Sequence, residues 1–256
     1  MDSIGYTWRD GPRAYDCRFV RVPGTAGRPY TFGDAPGGRP TEVGEFFLGS
    51  TPVTQALWAH VMGPGANPAV GPGPDRPVEN VSWLDLTRPG GFLAKVNASP
   101  LAAALRARLG PGARLRLPSE TEWEYAARGG PHWPDGYRFS GGDDVAAVAW
   151  YDRRHGDHTQ PVAGKAPNQL GLYDMSGNVW EWCQDVFTRD VGAIPAGGAP
   201  FAGPGPERVL RGGCFHNWAA HCTVSKRYEI GAEFHDGCIG LRLAASVGGV
   251  PPSPGA

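Results

Sequence analysis

Proline or glycine interrupts this chain about once every four residues, with 39 glycines and 26 prolines in 256. Each proline removes a backbone donor and each glycine loosens the chain, so long helices and strands are hard to sustain. At that level disorder competes with folding. Nine tryptophans, ten phenylalanines and eight tyrosines argue against it, because that much aromatic surface needs a core or a binding face. The expectation is a folded domain, rich in turns and long enough to bury a real core. A formal net charge of −1 offers no basic field for nucleic acid. No apolar run is long enough for a membrane span. The first residues, MDSIGYTWRDG, lack the regions of a signal peptide, so a cytoplasmic location is expected. Cys17, Cys183, Cys214, Cys222 and Cys238 are an odd number with no repeated short spacing. They make a poor disulfide framework and a poor structural zinc site.

Residues 1 to about 40 read as short strands and turns, with alternating apolar positions in CRFVRVPG from Cys17. EFFLGSTPVTQALWAHVMG predicts a strand and then a helix. Thr54 is its N-cap, Leu57, Trp58, Val61 and Met62 lie on one face, and Gly63 ends it. VSWLDL opens a second helical region, broken near Arg88-Pro89-Gly90, and 91–110 suit one more helix. RLRLPSETEWEYAARGG carries the clearest local signal. Ser119 and Glu122 form a capping box, Trp123 and Ala127 share a face, and Gly129 terminates the helix. ERVLRGG and IGLRLA predict strands around the stretch RGGCFHNWAAHCTVSKRYEI, which gathers two cysteines, two histidines and three aromatic residues. Helices early and strands late point to an α+β class.

Four segments, RPVENVSW, RLPSETEWEYAARGG, PNQLGLYDMSGNVWEWC and RVLRGG…IGLRLA, together resemble the formylglycine-generating enzyme (sulfatase-modifying factor) family. The resemblance runs over roughly residues 17 to 245. It implies an elaborated C-type-lectin-like fold with little regular secondary structure. One domain over 1–245 and a frayed tail over 246–256 are expected. Fold does not decide function. Members that make formylglycine hold copper between two cysteines five residues apart after the Gly-Gly. The matching positions here are Asn217 and Cys222, and Cys214 stands where the family carries serine. Cu(I) favours paired soft thiolates, so copper chemistry is doubtful in this chain. A catalytic reading would rest on Cys222, with Cys214 as its substitute partner. Sulfoxide synthases of the same fold place histidines on an added helical domain, for which this chain has no room, and His60 stands alone.

The framework also resembles the variable proteins of diversity-generating retroelements, which are binders. Their segment after Arg-Gly-Gly is mutated at asparagine-type codons. Arg208, Val209, Arg211, Gly212, Gly213, Cys222, Arg227, Ile239, Gly240, Arg242 and Leu243 match that framework. Most residues between them, including Cys214, Gly237 and Cys238, are reachable from an asparagine codon; Trp218 and Glu233 are not. The resemblance implies a contact surface of Phe215, His216, Asn217, Trp218, His221, Thr223, Lys226, Tyr228, Ile230, Phe234, His235 and Asp236. Its partner would be a protein or a small molecule. Phe215, His216, His221, Tyr228, Phe234 and His235 are therefore expected at the surface, because so mixed a set is costly to bury. A metal held by Cys214, His216, His221 and Cys222 is weighed against adventitious binding or none. Cys183 and Cys222 are expected as buried thiols, with a disulfide between them or a reactive thiol as the alternatives. The family's calcium site maps onto the side chains of Asp174 and Glu181 and the carbonyls of Gly177 and Val179, hard oxygen donors that suit Ca²⁺. The alternative is a hydrogen-bonded turn. Trp123, Trp180 and Trp182 read as core, and His155–His158 as a solvated loop.

Overall fold

The structure, a computed structural model, describes residues 2–34 and 37–246. Of the frayed tail expected over 246–256, Ser246 instead belongs to a strand and pairs with Phe46, and the rest lies outside the described residues. The strands in chain order are β1 (Ser3–Asp10), β2 (Arg13–Val22), β3 (Tyr30–Phe32), β4 (Arg39–Thr41), β5 (Phe46–Gly49), β6 (Leu115–Arg116), β7 (Trp180–Val186), β8 (Glu207–Arg211), β9 (Arg227–Gly231), β10 (Ile239–Gly240) and β11 (Ala244–Ser246). The helices are α1 (Gln55–Met62), α2 (Trp83–Thr87), α3 (Phe92–Asn97), α4 (Pro100–Leu109), α5 (Glu120–Ala127) and α6 (Val145–Val148). None of the described helices is long and apolar enough to cross a membrane.

Two sheets organise the molecule. The larger has the order β1-β2-β5-β11-β6 and is antiparallel throughout. The smaller has the order β10-β7-β8-β9, with β10 parallel to β7 and the rest antiparallel. A short β3-β4 ribbon stands apart. The last strand, β11, inserts between β5 and β6, so the chain's two halves are locked by backbone hydrogen bonds.

Local chemistry sets the helix ends. Leu57 N–H donates to Thr54 Oγ1 at 3.2 Å, and Gly63 follows α1 at φ 106°. Ser119 and Glu122 close a capping box on α5, and Ser82 with Asp85 closes another on α2. The helix expected over 91–110 is two. Pro100 offers no backbone donor and favours an extended residue before it, and Ser99 sits at ψ 164°. The chain turns there, and α4 begins with proline in its first turn.

Helix α5 is buried on every face, not only along Trp123 and Ala127. It therefore carries glutamates into the interior, and each meets arginine. Glu120 accepts two bonds from Arg227 at 2.6 Å, and Glu122 accepts two from Arg116 at 2.6 and 2.7 Å. Glu124 is bound by Arg211 and Arg128. On β7, Glu181 is bound by Arg242. A buried carboxylate is tolerated when a guanidinium satisfies it in this way. Arg211, Arg227 and Arg242 thus clamp β8, β9 and the segment before β11 onto α5 and β7. Trp123, Trp180 and Trp182 are core, as expected.

Candidate functional site: the 214–238 loops

The loops enter through a constrained corner. Gly212 and Gly213 adopt φ 98° and 75°. A Cβ on Gly213 would lie 2.7 Å from both Cys222 Sγ and His221 O. Only glycine fits so close an approach. The chain then passes Cys214, with Phe215 N–H donating to Asn178 O at 3.0 Å. A short 3₁₀ turn covers Ala219–His221, β9 follows, and the chain returns through Ala232 to Cys238. Trp180 N–H donates to Cys238 O at 2.8 Å, immediately before β10 pairs with β7. The start of β7 is thus the ruler that sets Cys214 and Cys238 side by side.

The surface reading holds for part of the expected set. Trp218 is 76% exposed, Phe234 43% and Tyr228 42%. His235 and Asp236 are exposed, while His216, Asn217, His221, Thr223, Lys226 and Ile230 are half-buried. Tyr228 stacks on Trp180 with ring centroids 5.4 Å apart, which braces it without hiding it. The Nδ1 of His235 is 2.8 Å from Asn80 Oδ1. Phe215 corrects the expectation of a surface residue. It is only 8% exposed. Its N–H bonds to Asn178, and its carbonyl accepts from Arg153 N–H at 2.8 Å, which draws it under the 150–155 loop. The His155–His158 loop is itself exposed, as expected.

The cysteines differ in their surroundings. All five are free, so no Cys183–Cys222 disulfide exists. Cys183 packs with Val209 and Val224, whereas Cys222 packs with Phe139, Val148 and Tyr151, in separate clusters. Burial pushes the Cys222 thiol up to about 12, and Cys214 nearby adds to this. Cys222 Sγ bonds only weakly, to Trp218 O at 3.9 Å. Cys214 behaves differently. Its burial opposes ionisation, yet hydrogen bonds from Cys238 and His216 outweigh that and bring it down to about 6. Bonding to the thiolate, in turn, raises His216. Position 217 offers no thiolate: Asn217 Oδ1 accepts from Cys214 N–H at 3.2 Å, and it accepts from Cys214 Sγ at 3.1 Å only while that sulfur is protonated. The grouping weighed in the sequence, with His221 and Cys222, is replaced. Cys214 and His216 instead converge with Cys238, their ligand atoms within 4.8 Å of one another.

The turn that the resemblance assigns to calcium lies behind these loops. Asp174, Gly177 and Asn178 take φ 55°, 78° and 63°, and Gly177 N–H donates to Gly212 O. A Cβ on Gly177 would lie 2.2 Å from Trp150 O, which explains the glycine. Both Glu181 oxygens are engaged, by Arg242 at 2.8–3.1 Å and by Trp123 Nε1–H at 2.6 Å. Asp174 accepts from Ala163 N–H at 2.8 Å and Asn178 Nδ2 at 3.3 Å. Its burial pushes the carboxyl up to about 6. These residues fit an oxygen-ligated cation in part. Asp174 has no directly bonded counter-charge, whereas at Glu181 a cation would compete with Arg242.

Known proteins place the arrangement. The formylglycine-generating enzyme of Streptomyces coelicolor is 32% identical over 214 residues, 73% of this chain and 60% of that protein. The chaperone protein LppX of Paenibacillus barcinonensis is 34% identical over 175 residues, 54% of this chain and 61% of that protein. The chain thus spans about 60% of the length of these relatives. Treponema denticola variable protein 1 superposes with a TM-score of 0.75 at 26% identity, covering 94% of this chain and 98% of that one. PvdO from Pseudomonas aeruginosa shares the fold, with a TM-score of 0.67 at 23% identity over 94% and 97% of the chains. The fold is the formylglycine-generating-enzyme-like elaboration of the C-type lectin. Residues 20–247 match the sulfatase-modifying factor enzyme 1-like domain, and the chain belongs to that family.

Proposed function

We propose that this domain is a ligand-binding module whose contact surface is formed by the loops between 214 and 237. The observation that carries this is a contrast in burial. Arg211 and Arg242 are fully buried and ion-paired, while Trp218, Tyr228 and Phe234 stand in solvent. Large rigid side chains left exposed on a braced framework are what binding anchors require. The likeness to Treponema denticola variable protein 1 supports the same reading. The partner is a protein or a small molecule that accepts aromatic contacts, as for a diversity-generating retroelement variable protein. His235, Asp236, Lys226 and Thr223 would supply polar contacts at the rim. Phe215 supports the loop from beneath.

A formylglycine-generating oxidoreductase acting on a cysteine is the second reading, favoured by the identity to enzymes of that name. Against it stand Asn217 in place of a thiolate and the buried, protonated Cys222. The test has two arms. The protein is incubated with copper and a cysteine-containing sulfatase-type peptide under oxygen, and the segment coding for 208–245 is sequenced across close relatives of the source. The binder reading expects no aldehyde, and substitutions concentrated at exposed loop positions with Arg211, Gly212, Gly213 and Arg242 constant. Oxygen-dependent aldehyde lost in Cys222→Ser, or substitutions spread evenly over framework and loop, overturns it.

A further inference from the structure

We infer that Cys214, His216 and Cys238 form a binding site for Zn²⁺, with two thiolate ligands, one imidazole ligand and a fourth position open toward solvent. This goes beyond the proposed binding surface and stands or falls separately from it.

Geometry carries the inference. The two Sγ atoms and a His216 ring nitrogen lie within 4.8 Å of one another. Four-coordinate zinc with Zn–S near 2.3 Å and Zn–N near 2.0–2.1 Å sets its ligand atoms about 3.3–3.8 Å apart, so only small side-chain adjustments are needed. The backbone fixes both cysteines. Phe215 N–H is tied to Asn178 O, Cys238 O is tied to Trp180 N–H, and Arg153 N–H and Asp152 N–H hold Phe215 O and Asn217 O. Such anchoring on a strand end and braced loops is what a preorganised site needs. Cys214 is fully buried, Cys238 is 7% exposed and His216 is half-buried, so the cluster opens on the His216 side.

The donor chemistry agrees. Two thiolates and an imidazole suit a borderline-soft d¹⁰ cation. Three protein ligands leave one position for water or for an incoming ligand group, as in zinc sites that act on bound molecules. Outer-shell partners are already present. Asp236 Oδ1 accepts from Cys238 N–H at 3.1 Å, and Asn217 Oδ1 accepts from Cys214 N–H. Hydrogen bonds of this kind orient thiolate-bearing segments around a metal. Cys222 is not part of the cluster, and neither is His221.

The test uses the full chain, reduced and freed of metal, and titrates it with Zn²⁺ and with Co²⁺ as a spectroscopic probe. One equivalent of cobalt is expected to give thiolate-to-cobalt charge transfer and intense tetrahedral visible bands, both bleached by one equivalent of zinc. Cys214→Ser and Cys238→Ser should each weaken binding about 100-fold or more, since each donor adds in an intramolecular way. Cys17→Ser should leave it unchanged. Folding of the variants is checked by circular dichroism. Because a buried cysteine variant can fail to fold, alkylation of the unaltered protein supplies a second readout. One equivalent of zinc should shield Cys214 and Cys238 from iodoacetamide and leave Cys17 as reactive as before. Failure to bind stoichiometric zinc at micromolar concentration with the thiols reduced overturns the site. So does a cobalt spectrum that survives in folded Cys214→Ser/Cys238→Ser, or zinc that shields neither cysteine.

Discussion

Replacing Arg242 with methionine tests whether buried charge pairs are what fasten the two halves of the domain. Arg242 is fully buried, and so is Glu181, to which it donates at 2.8, 3.0 and 3.1 Å. The same guanidinium also donates to Gly49 O at 2.8 Å and Tyr173 O at 2.7 Å, tying β5 and the 173–178 turn to the segment before β11. Methionine fills much of the same volume but donates nothing, leaving a carboxylate and two carbonyls without that partner. Breaking a buried pair from one side costs about 3–5 kcal/mol. For a domain of this size each kcal/mol moves the melting temperature by about 2–4 °C, so a fall of about 6–20 °C is expected. Most of that loss should come from the stranded charge. The double variant Glu181→Gln/Arg242→Met removes it while leaving an amide oxygen for Trp123 Nε1–H. It should therefore be more stable than Arg242→Met alone, with a coupling of about 1–3 kcal/mol in the mutant cycle. Urea unfolding of the parent, both single variants and the double variant supplies the four numbers. A shift under about 2 °C for Arg242→Met, or effects that simply add, would refute the argument that the ion pair fastens β7 to the last strands.

Gly213→Ala combines a left-handed backbone, costing about 1–2 kcal/mol for a residue with a Cβ, with overpacking against Cys222 and His221, costing about 1–3 kcal/mol. A loss of about 2–5 kcal/mol is expected in urea denaturation, and a loss below about 1 kcal/mol would show that loop geometry does not demand this glycine. Calcium at the 174–181 turn is proposed to be held by Asp174 and the carbonyls of Gly177 and Val179, with Glu181 shared with Arg242. EGTA should then lower the melting temperature, since a ligand at 100 times its Kd stabilises by about 2.7 kcal/mol. An unmoved melting curve would leave Arg242 as the counter-charge of that turn.

What could be read from the sequence was what neighbours along the chain decide. Thr54 and the Ser119–Glu122 box announce helices because a cap is satisfied within three residues. Strand β7 carries no strand signal in the sequence because all its residues but Gln184 are buried, so WEWCQDV shows no alternation between faces. Strand β9 lay inside the stretch expected to vary, where pattern carries little information about the backbone. The sequence of α5 gives its glutamates no visible long-range partners. The burial of Glu120 and Glu124 is matched by Arg227 and Arg211, which only the folded sheet brings to them. The site divides on the same line. Trp218, Tyr228, Phe234 and His235 were placed at the surface from residue type and motif position, and there they stand. Phe215 is of the same type in the same loop, yet a backbone bond to Asn178 draws it inward. In the sequence Cys238 is a cysteine of odd spacing and one of the positions reachable from an asparagine codon, with nothing that pairs it with Cys214. Its meeting with Cys214 follows from β10 lying parallel beside β7, a pairing between segments far apart in sequence that no local period encodes. For the same reason, the cluster's chemistry depends on the register of β10. A one-residue slip would carry Cys238, just before that strand, away from its bond to Trp180 N–H and dissolve the pair of thiols while leaving every residue of the motif in place.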